Sequence, residues 1–348
     1  MIERKIRVLI IEDSAFNRRV LSDILGGETD IEVIGKACDG EEGLEIALKQ
    51  NPDVICLDLE MPRMGGYPFL RILLSKKLIP VIVISAHSKP EKVVRALEYG
   101  AFDFVAKPTA APSSELFQIS TELVSKVRIA ARIDFPTKAR KPQPQVEIKR
   151  KSIAPRAFAD RVVAIAASTG GPQAITRVLT ELPEYLSAAV LIVQHMPPKF
   201  TDGFARRLNK LCRINVTEAS DRSVLQNGTA YIAPGDACIE LVREETGLLL
   251  RVALPNGTES IVPSADRMFQ SVAQEAPTTA LGIVLTGMGR DGSAGAKALA
   301  DAGGLVIAED ESTAVVPGMP AAAVAVGAVQ ETVPLNRISE FILRFLSR

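Results

Sequence analysis

From residue 5 to about 130, short aliphatic and β-branched runs alternate with longer stretches whose apolar positions recur every three to four residues. The runs near 6–11, 31–37, 54–58, 80–85 and 103–106 predict five strands, each followed by an amphipathic helix. Apolar strands separated by helices predict a parallel sheet covered on both faces, with ligands gathered at the carboxyl ends of the strands. A second series starts at about 160, with strands predicted at 161–166, 189–193, 230–233, 281–285 and 304–308. It is interrupted by Ile239–Val242 and Leu248–Val252, which flank a turn-like segment ending at Gly247 and predict a β-hairpin.

The pattern lapses between the two series. Residues 126 to about 156 carry ten Lys or Arg against Asp134 and Glu147, with prolines at 136, 142, 144 and 155, which predicts a solvated basic linker. A nucleic-acid-binding tail is the competing reading, but Phe135 is the one aromatic in the stretch. The predicted division is 1–125, 126–158 and 159–348, and 348 residues are enough for two cores. Lys plus Arg and Asp plus Glu each total 41, so net charge gives no reason to expect nucleic acid or an anionic membrane as partner. Cys38, Cys56, Cys212 and Cys238 are scattered without a CxxC pair, and the apolar run Ile6–Ile11 is too short for a signal peptide or a membrane span. A reduced, cytoplasmic setting without membrane insertion is expected.

Chemistry-bearing residues fall at the predicted strand ends. In the first series these are Glu12-Asp13, Asp58, Ser85 and Lys107-Pro108. Crowded carboxylates repel one another unless a hard cation sits among them, and Mg2+ takes such oxygen ligands while keeping waters for a phosphate. Taken singly, Asp13 reads as a cap for a helix starting at Ser14, and Asp58 with Lys107 as a structural ion pair. His87 reads as an ordinary loop histidine. Together with Leu57-Asp58-Leu59-Glu60-Met61-Pro62, Gly65-Gly66, Ser85-Ala86, Gly100-Ala101 and Asp103–Pro108, these residues resemble a two-component receiver domain over about 5–125. The resemblance implies a flavodoxin-like fold in which a histidine kinase phosphorylates Asp58. Glu12, Asp13 and Asp58 would hold Mg2+, Ser85 and Lys107 would bind the phosphoryl group, and Phe104 would be the aromatic switch.

The second series owns one histidine, His195, in Gln194-His195-Met196-Pro197-Pro198 after a predicted strand. Ser168 follows another strand in Ala-Ala-Ser-Thr-Gly-Gly-Pro, where small neighbours permit a tight turn exposing the hydroxyl near a helix start at about Pro172. Capping that helix is its plainer role. Asp291 follows a third strand in Thr-Gly-Met-Gly-Arg-Asp291-Gly292. Ser, His and Asp at one sheet edge are the parts of an acyl-transfer triad, with Gly-rich backbone near Met288 for the oxyanion. Gly287-x-Gly289-x-x-Gly292 with Glu309 also fits a dinucleotide fingerprint, against which stand the like charge of Asp291 and the 56 residues that remain after Gly292.

These segments, with Ala230–Gly235, Pro263–Asp266 and Gly318-Met319-Pro320, resemble the chemotaxis protein-glutamate methylesterase (CheB) family over about 160–335. The resemblance implies a second doubly wound, Rossmann-like α/β domain carrying the hairpin. It implies hydrolysis of glutamate methyl esters on chemoreceptor cytoplasmic domains, releasing methanol, and deamidation of receptor glutamines. Ser168 would be the nucleophile, His195 the base and Asp291 its orienting acid. Thr169, Gln194 and Met288 would be weaker candidates for the site wall or oxyanion contacts. Ala237-Cys238 and Val316-Pro317 depart from the family's pattern. A noncatalytic regulator whose second domain only binds a partner is the rival reading.

Overall fold

Continuous apolar runs such as Val8–Ile11, Val54–Leu57 and Val162–Ala167 are fully buried, as strands covered by helices on both faces must be. In the computed structural model, which describes residues 4–85, 90–107, 113–133, 157–245 and 247–347, they form the centres of two parallel sheets. The chain divides into two compact units, Met1–Gln143 and Pro144–Arg348. His87, Pro108 and the linker positions 134–156 lie outside the described residues.

The first unit has β1 (Ile6–Ile11), β2 (Ile31–Ala37), β3 (Val54–Asp58), β4 (Val81–Ser85) and β5 (Asp103–Ala106), ordered β2-β1-β3-β4-β5 and all parallel. This flavodoxin-like order reverses between β1 and β3, which opens a crevice at their carboxyl ends. The last helix, Ser113–Arg132, takes in residues 126–132, the start of the basic stretch, as its final turns. Val127 and Ala130 are buried, and the charges that suggested a solvated segment are partnered, Lys126 with Asp103 and Glu122, Arg128 with Glu28 and Asp30.

The second unit has β6 (Val162–Ala167), β7 (Ala189–Gln194), β8 (Asn215–Glu218), β9 (Ser223–Val224), β10 (Thr229–Ile232), β11 (Cys238–Glu244), β12 (Gly247–Ala253), β13 (Ala280–Val284), β14 (Leu305–Glu309) and β15 (Glu331–Val333). Seven of them form a parallel sheet, β15-β14-β13-β6-β7-β10-β8. The predicted hairpin is β11–β12, antiparallel throughout, and β9 joins it as a third strand. Strands β8, β9 and β15 were not expected; each has two to four residues, and Asn-Val-Thr-Glu, Ser-Val and Glu-Thr-Val show no apolar run. The chain leaves β6 toward β7 on one side and later returns to β13 on the other. The switch point therefore lies between the loops after β6 and β13, which carry Ser168 and Asp291. No helix among the described residues is long and apolar enough to cross a membrane.

Candidate active site

Ser168 and His195 are register neighbours. Ala167 pairs with Gln194 at the ends of β6 and β7, and each of the two residues comes next in its chain. The His195 backbone N–H donates to the Ala167 carbonyl at 3.1 Å, which holds the two loop starts side by side. On the other side of β6, the Ser168 N–H donates to the Thr286 carbonyl at 3.0 Å. The helix after Ser168, Gly171–Glu181, is capped by Gly170 without a side-chain bond, so Ser168 is not its cap. Gly170 has φ +76° and Gly292, capping the helix after Asp291, has φ +90°; both tight turns need the left-handed backbone that glycine adopts without strain.

His195 Nε2 lies 2.8 Å from Asp291 Oδ2, with both side chains buried. Asp291 accepts three further hydrogen bonds, from Ala265 N (2.7 Å), Asp266 N (3.1 Å) and Ser264 Oγ (3.2 Å), all at the start of the helix Ala265–Glu275. Burial pushes the Asp291 pKa up, but the His195 hydrogen bond and charge, with the two backbone donors, outweigh it and hold the carboxyl below its ordinary value. Ionised Asp291 fixes the imidazole with Nε2 toward the acid. His195 Nδ1 is buried and has no hydrogen-bond partner, so it is the nitrogen left to serve Ser168; no Ser168–His195 hydrogen bond is made in this state.

The weaker candidates separate by position. Gln194 is buried, and its Nε2 donates to the carbonyls of Ser168 (2.9 Å) and His195 (3.2 Å), so it clamps the two loops and spends both its N–H groups doing so. Thr169 is buried and its carbonyl accepts from Thr286 Oγ1 at 3.0 Å. Met288 is exposed on the loop whose first glycine touches the nucleophile: a Cβ at Gly287 would stand 2.8 Å from Ser168 Cβ and 2.3 Å from Met319 Sδ. Ser264 and Thr286 are the members of the site that the sequence reading passed over. Ser264 lies within the Pro-Ser-Ala-Asp segment, where the N-cap pattern before a helix was available as a signal. The dinucleotide reading loses its acid here, because Glu309 is buried and accepts from Thr286 N (2.9 Å) and Thr313 Oγ1 (3.1 Å).

In the first unit, Lys107 Nζ lies 2.6 Å from Asp58 Oδ2 and 3.0 Å from Glu12 Oε2 at the crevice. Burial disfavours the charge on Lys107, but Asp58 and Glu12 more than offset this and raise its pKa. Glu12 is fully buried, and burial followed by the charge of Asp58 raises its pKa despite Lys107. Glu12, Asp13 and Asp58 offer carboxylate oxygens within 4.8 Å of one another, and the ion pair from Lys107 to Glu12 Oε2 lacks hydrogen-bond geometry. This set suits a divalent cation. The helix Ala15–Gly26 is capped by Ser14, not by Asp13. Ser85 and Phe104 are buried on β4 and β5, and the Lys107 N–H donates to the Ser85 carbonyl at 2.8 Å. Lys126 covers Phe104, its ammonium 5.3 Å from the ring centroid.

Residues 163–342 match the CheB methylesterase family, and residues 8–118 match the response regulator receiver domain. The chain is 41% identical over 352 residues to a protein-glutamate methylesterase/protein-glutamine glutaminase of Pyrococcus abyssi, covering 98% of this chain and 94% of that one. It is 45% identical over 333 residues to protein-glutamate methylesterase/protein-glutamine glutaminase 1 of Myxococcus xanthus, covering 96% and 95%. The crystal structure of the Thermotoga maritima CheB methylesterase catalytic domain superposes with TM-score 0.52 at 34% identity, covering 53% of this chain and 97% of that one.

Proposed function

The chain belongs to the CheB methylesterase family, and we propose that it is a phosphorylation-activated serine hydrolase that removes methyl esters from chemoreceptor glutamates and deamidates receptor glutamines. The observation that carries this reading is the buried His195–Asp291 pair set beside the strand end that bears Ser168. Ser168 Oγ attacks the side-chain carbonyl carbon of the substrate residue. His195 accepts the serine proton at Nδ1 and passes it to the leaving methoxide, or to the amide nitrogen in deamidation, releasing methanol or ammonia. Water then cleaves the glutamyl-serine ester with His195 again as base, leaving glutamate. Asp291 keeps the imidazole oriented and balances its positive charge. Met288 and Thr169 border the space where the oxyanion forms, and each donor there contributes about 3–4 kcal/mol.

The N-terminal receiver supplies the control. Asp58 accepts a phosphoryl group from a chemotaxis histidine kinase; Glu12, Asp13 and Asp58 would hold Mg2+, which would supply charge neutralisation for the phosphoryl oxygens. Lys107 and Ser85 then bind those oxygens, and Phe104 follows them inward. The receiver spans 1–125 with the helix that follows, the basic segment up to 158 is the linker, and the hydrolase occupies 159–348. The setting is cytoplasmic, and the partners are the methylated receptor domains and the kinase.

The test is methanol release from methylated receptor membranes with and without a small phosphodonor. Wild type releases methanol faster with the donor, Ser168→Ala releases none above background, and Asp58→Asn loses the stimulation. Full activity in Ser168→Ala would remove the nucleophile assignment, and no activity in the phosphorylated wild type would favour a partner-binding second domain.

A further inference from the structure

The backbone of Ser168 is held from two sides. Its carbonyl accepts from Gln194 Nε2 and from Gly171 N, while its N–H is held by the Thr286 carbonyl on the neighbouring strand. Thr286 is itself tied at every polar atom. Its N–H donates to Glu309 Oε2 at 2.9 Å, and its hydroxyl meets the Thr169 carbonyl at 3.0 Å and accepts from Val316 N at 2.8 Å. Glu309 ends β14, is 1% exposed, and is steadied at its other oxygen by Thr313 Oγ1.

We propose that Glu309 is a positioning residue for the hydrolase: acting through Thr286, it sets where the Ser168 hydroxyl stands relative to His195. The proposal rests on reading Ser168 as the nucleophile. The line of contacts crosses three adjacent strand ends, from Glu309 on β14 to Thr286 after β13 to Ser168 after β6. The Leu285–Thr286 peptide has no freedom to tilt while its N–H is on Glu309, and the Thr286 carbonyl fixes the Ser168 backbone. Releasing that peptide lets the turn shift, and a displacement on the order of 1 Å is enough to cost about 100-fold in turnover. Glutamine at 309 can still offer an amide oxygen to Thr286 N and turn its amide toward Thr313, so it preserves the geometry without the charge.

The experiment uses the full chain, the phosphodonor and methylated receptor membranes, with active sites counted by a serine-directed fluorophosphonate. Glu309→Ala is expected to lower kcat per labelled site 10- to 100-fold with KM within about twofold, and to slow labelling of Ser168 in parallel. Glu309→Gln is expected to stay within about threefold of wild type. Glu309→Asp, which keeps the carboxylate but draws it back by one methylene from Thr286 N, gives a second reading should Glu309→Ala fold poorly; it is expected to slow labelling. Wild-type kcat per labelled site in Glu309→Ala, or in Glu309→Asp where Glu309→Ala does not fold, would overturn the proposal. So would a Glu309→Gln as impaired as Glu309→Ala. Failure of wild type to label at Ser168 would instead remove the nucleophile reading on which the proposal stands.

Discussion

Asp291 and His195 meet through Oδ2 and Nε2 at 2.8 Å, while the same carboxylate closes the first turn of the helix Ala265–Glu275. One side chain thus serves the imidazole and two backbone N–H groups, and an amide cannot serve all three. In Asp291→Asn, the amide NH2 must face either the helix donors or the imidazole. Turnover is expected to fall by a factor of roughly 10^4, the scale seen when a triad acid becomes an amide. Stability is expected to fall by about 1–3 kcal/mol from the donor left unsatisfied. Methanol release and urea unfolding measure the two effects separately.

The same pair sets an acid limit on the second unit. The Asp291 pKa in the fold lies below its ordinary value of 3.8, so ionised Asp291 contributes stability that is fully present above the unfolded value. That contribution is lost as pH falls through the lower, folded value. The gap in urea midpoint between wild type and Asp291→Asn is therefore expected to narrow as pH falls below 3.8. A gap that goes on widening below pH 3.8 would contradict the assignment of an ionised, stabilised carboxylate.

Gly287→Ala tests the close approach behind the nucleophile. Its methyl group would meet Met319 Sδ at 2.3 Å and Ser168 Cβ at 2.8 Å, and Met319 is fully buried with little room to yield. Overpacking of this kind costs about 1–3 kcal/mol, and here the yielding element is the serine turn. The variant is expected to lose at least 100-fold in kcat while retaining its circular dichroism spectrum and losing a few degrees in Tm.

Glu12→Gln should split stability from phosphorylation. Burial and the nearby Asp58 raise the Glu12 pKa, so its ionised form costs the metal-free receiver stability at neutral pH. Neutralising it is expected to raise the urea midpoint without Mg2+. The rise in stability that wild type shows with millimolar Mg2+ is expected to shrink or vanish in the variant, as binding linkage requires. A variant less stable than wild type without Mg2+ would refute the crowding argument.

The strands that carry chemistry were legible because burial on both faces leaves an unbroken apolar run, and the residue just past each run must stand at the sheet edge. Ser168, His195, Asp58 and Lys107 could be located in this way. The supports were not legible. Thr286 works through its N–H and carbonyl as well as its hydroxyl, and nothing in the identity of a residue announces what its backbone holds. Glu309 looked like a sugar-binding acid by its distance from the glycines, yet its partner is a peptide on the adjacent strand. Arg128 read as part of a charge run because composition counts charges and does not pair them. Its partners, Glu28 and Asp30, are about 100 positions away. Strands β8 and β15 lie at the two edges of their sheet, where a strand packs on fewer neighbours and needs no apolar run to form.

The placing of β13 against β6 has a consequence for how the second unit acquires activity as it folds. The Thr286–Thr169 contact joins residues 117 apart, and His195 and Asp291 are separated by 96. Such distant parallel pairings close large loops and form slowly compared with helices and the hairpin. Helical content should therefore return early on dilution from denaturant, with hydrolysis appearing only as β13 enters the middle of the sheet. Catalysis then reports the last long-range step of assembly, and a chain leaving the ribosome has no working triad until residues beyond Asp291 have emerged.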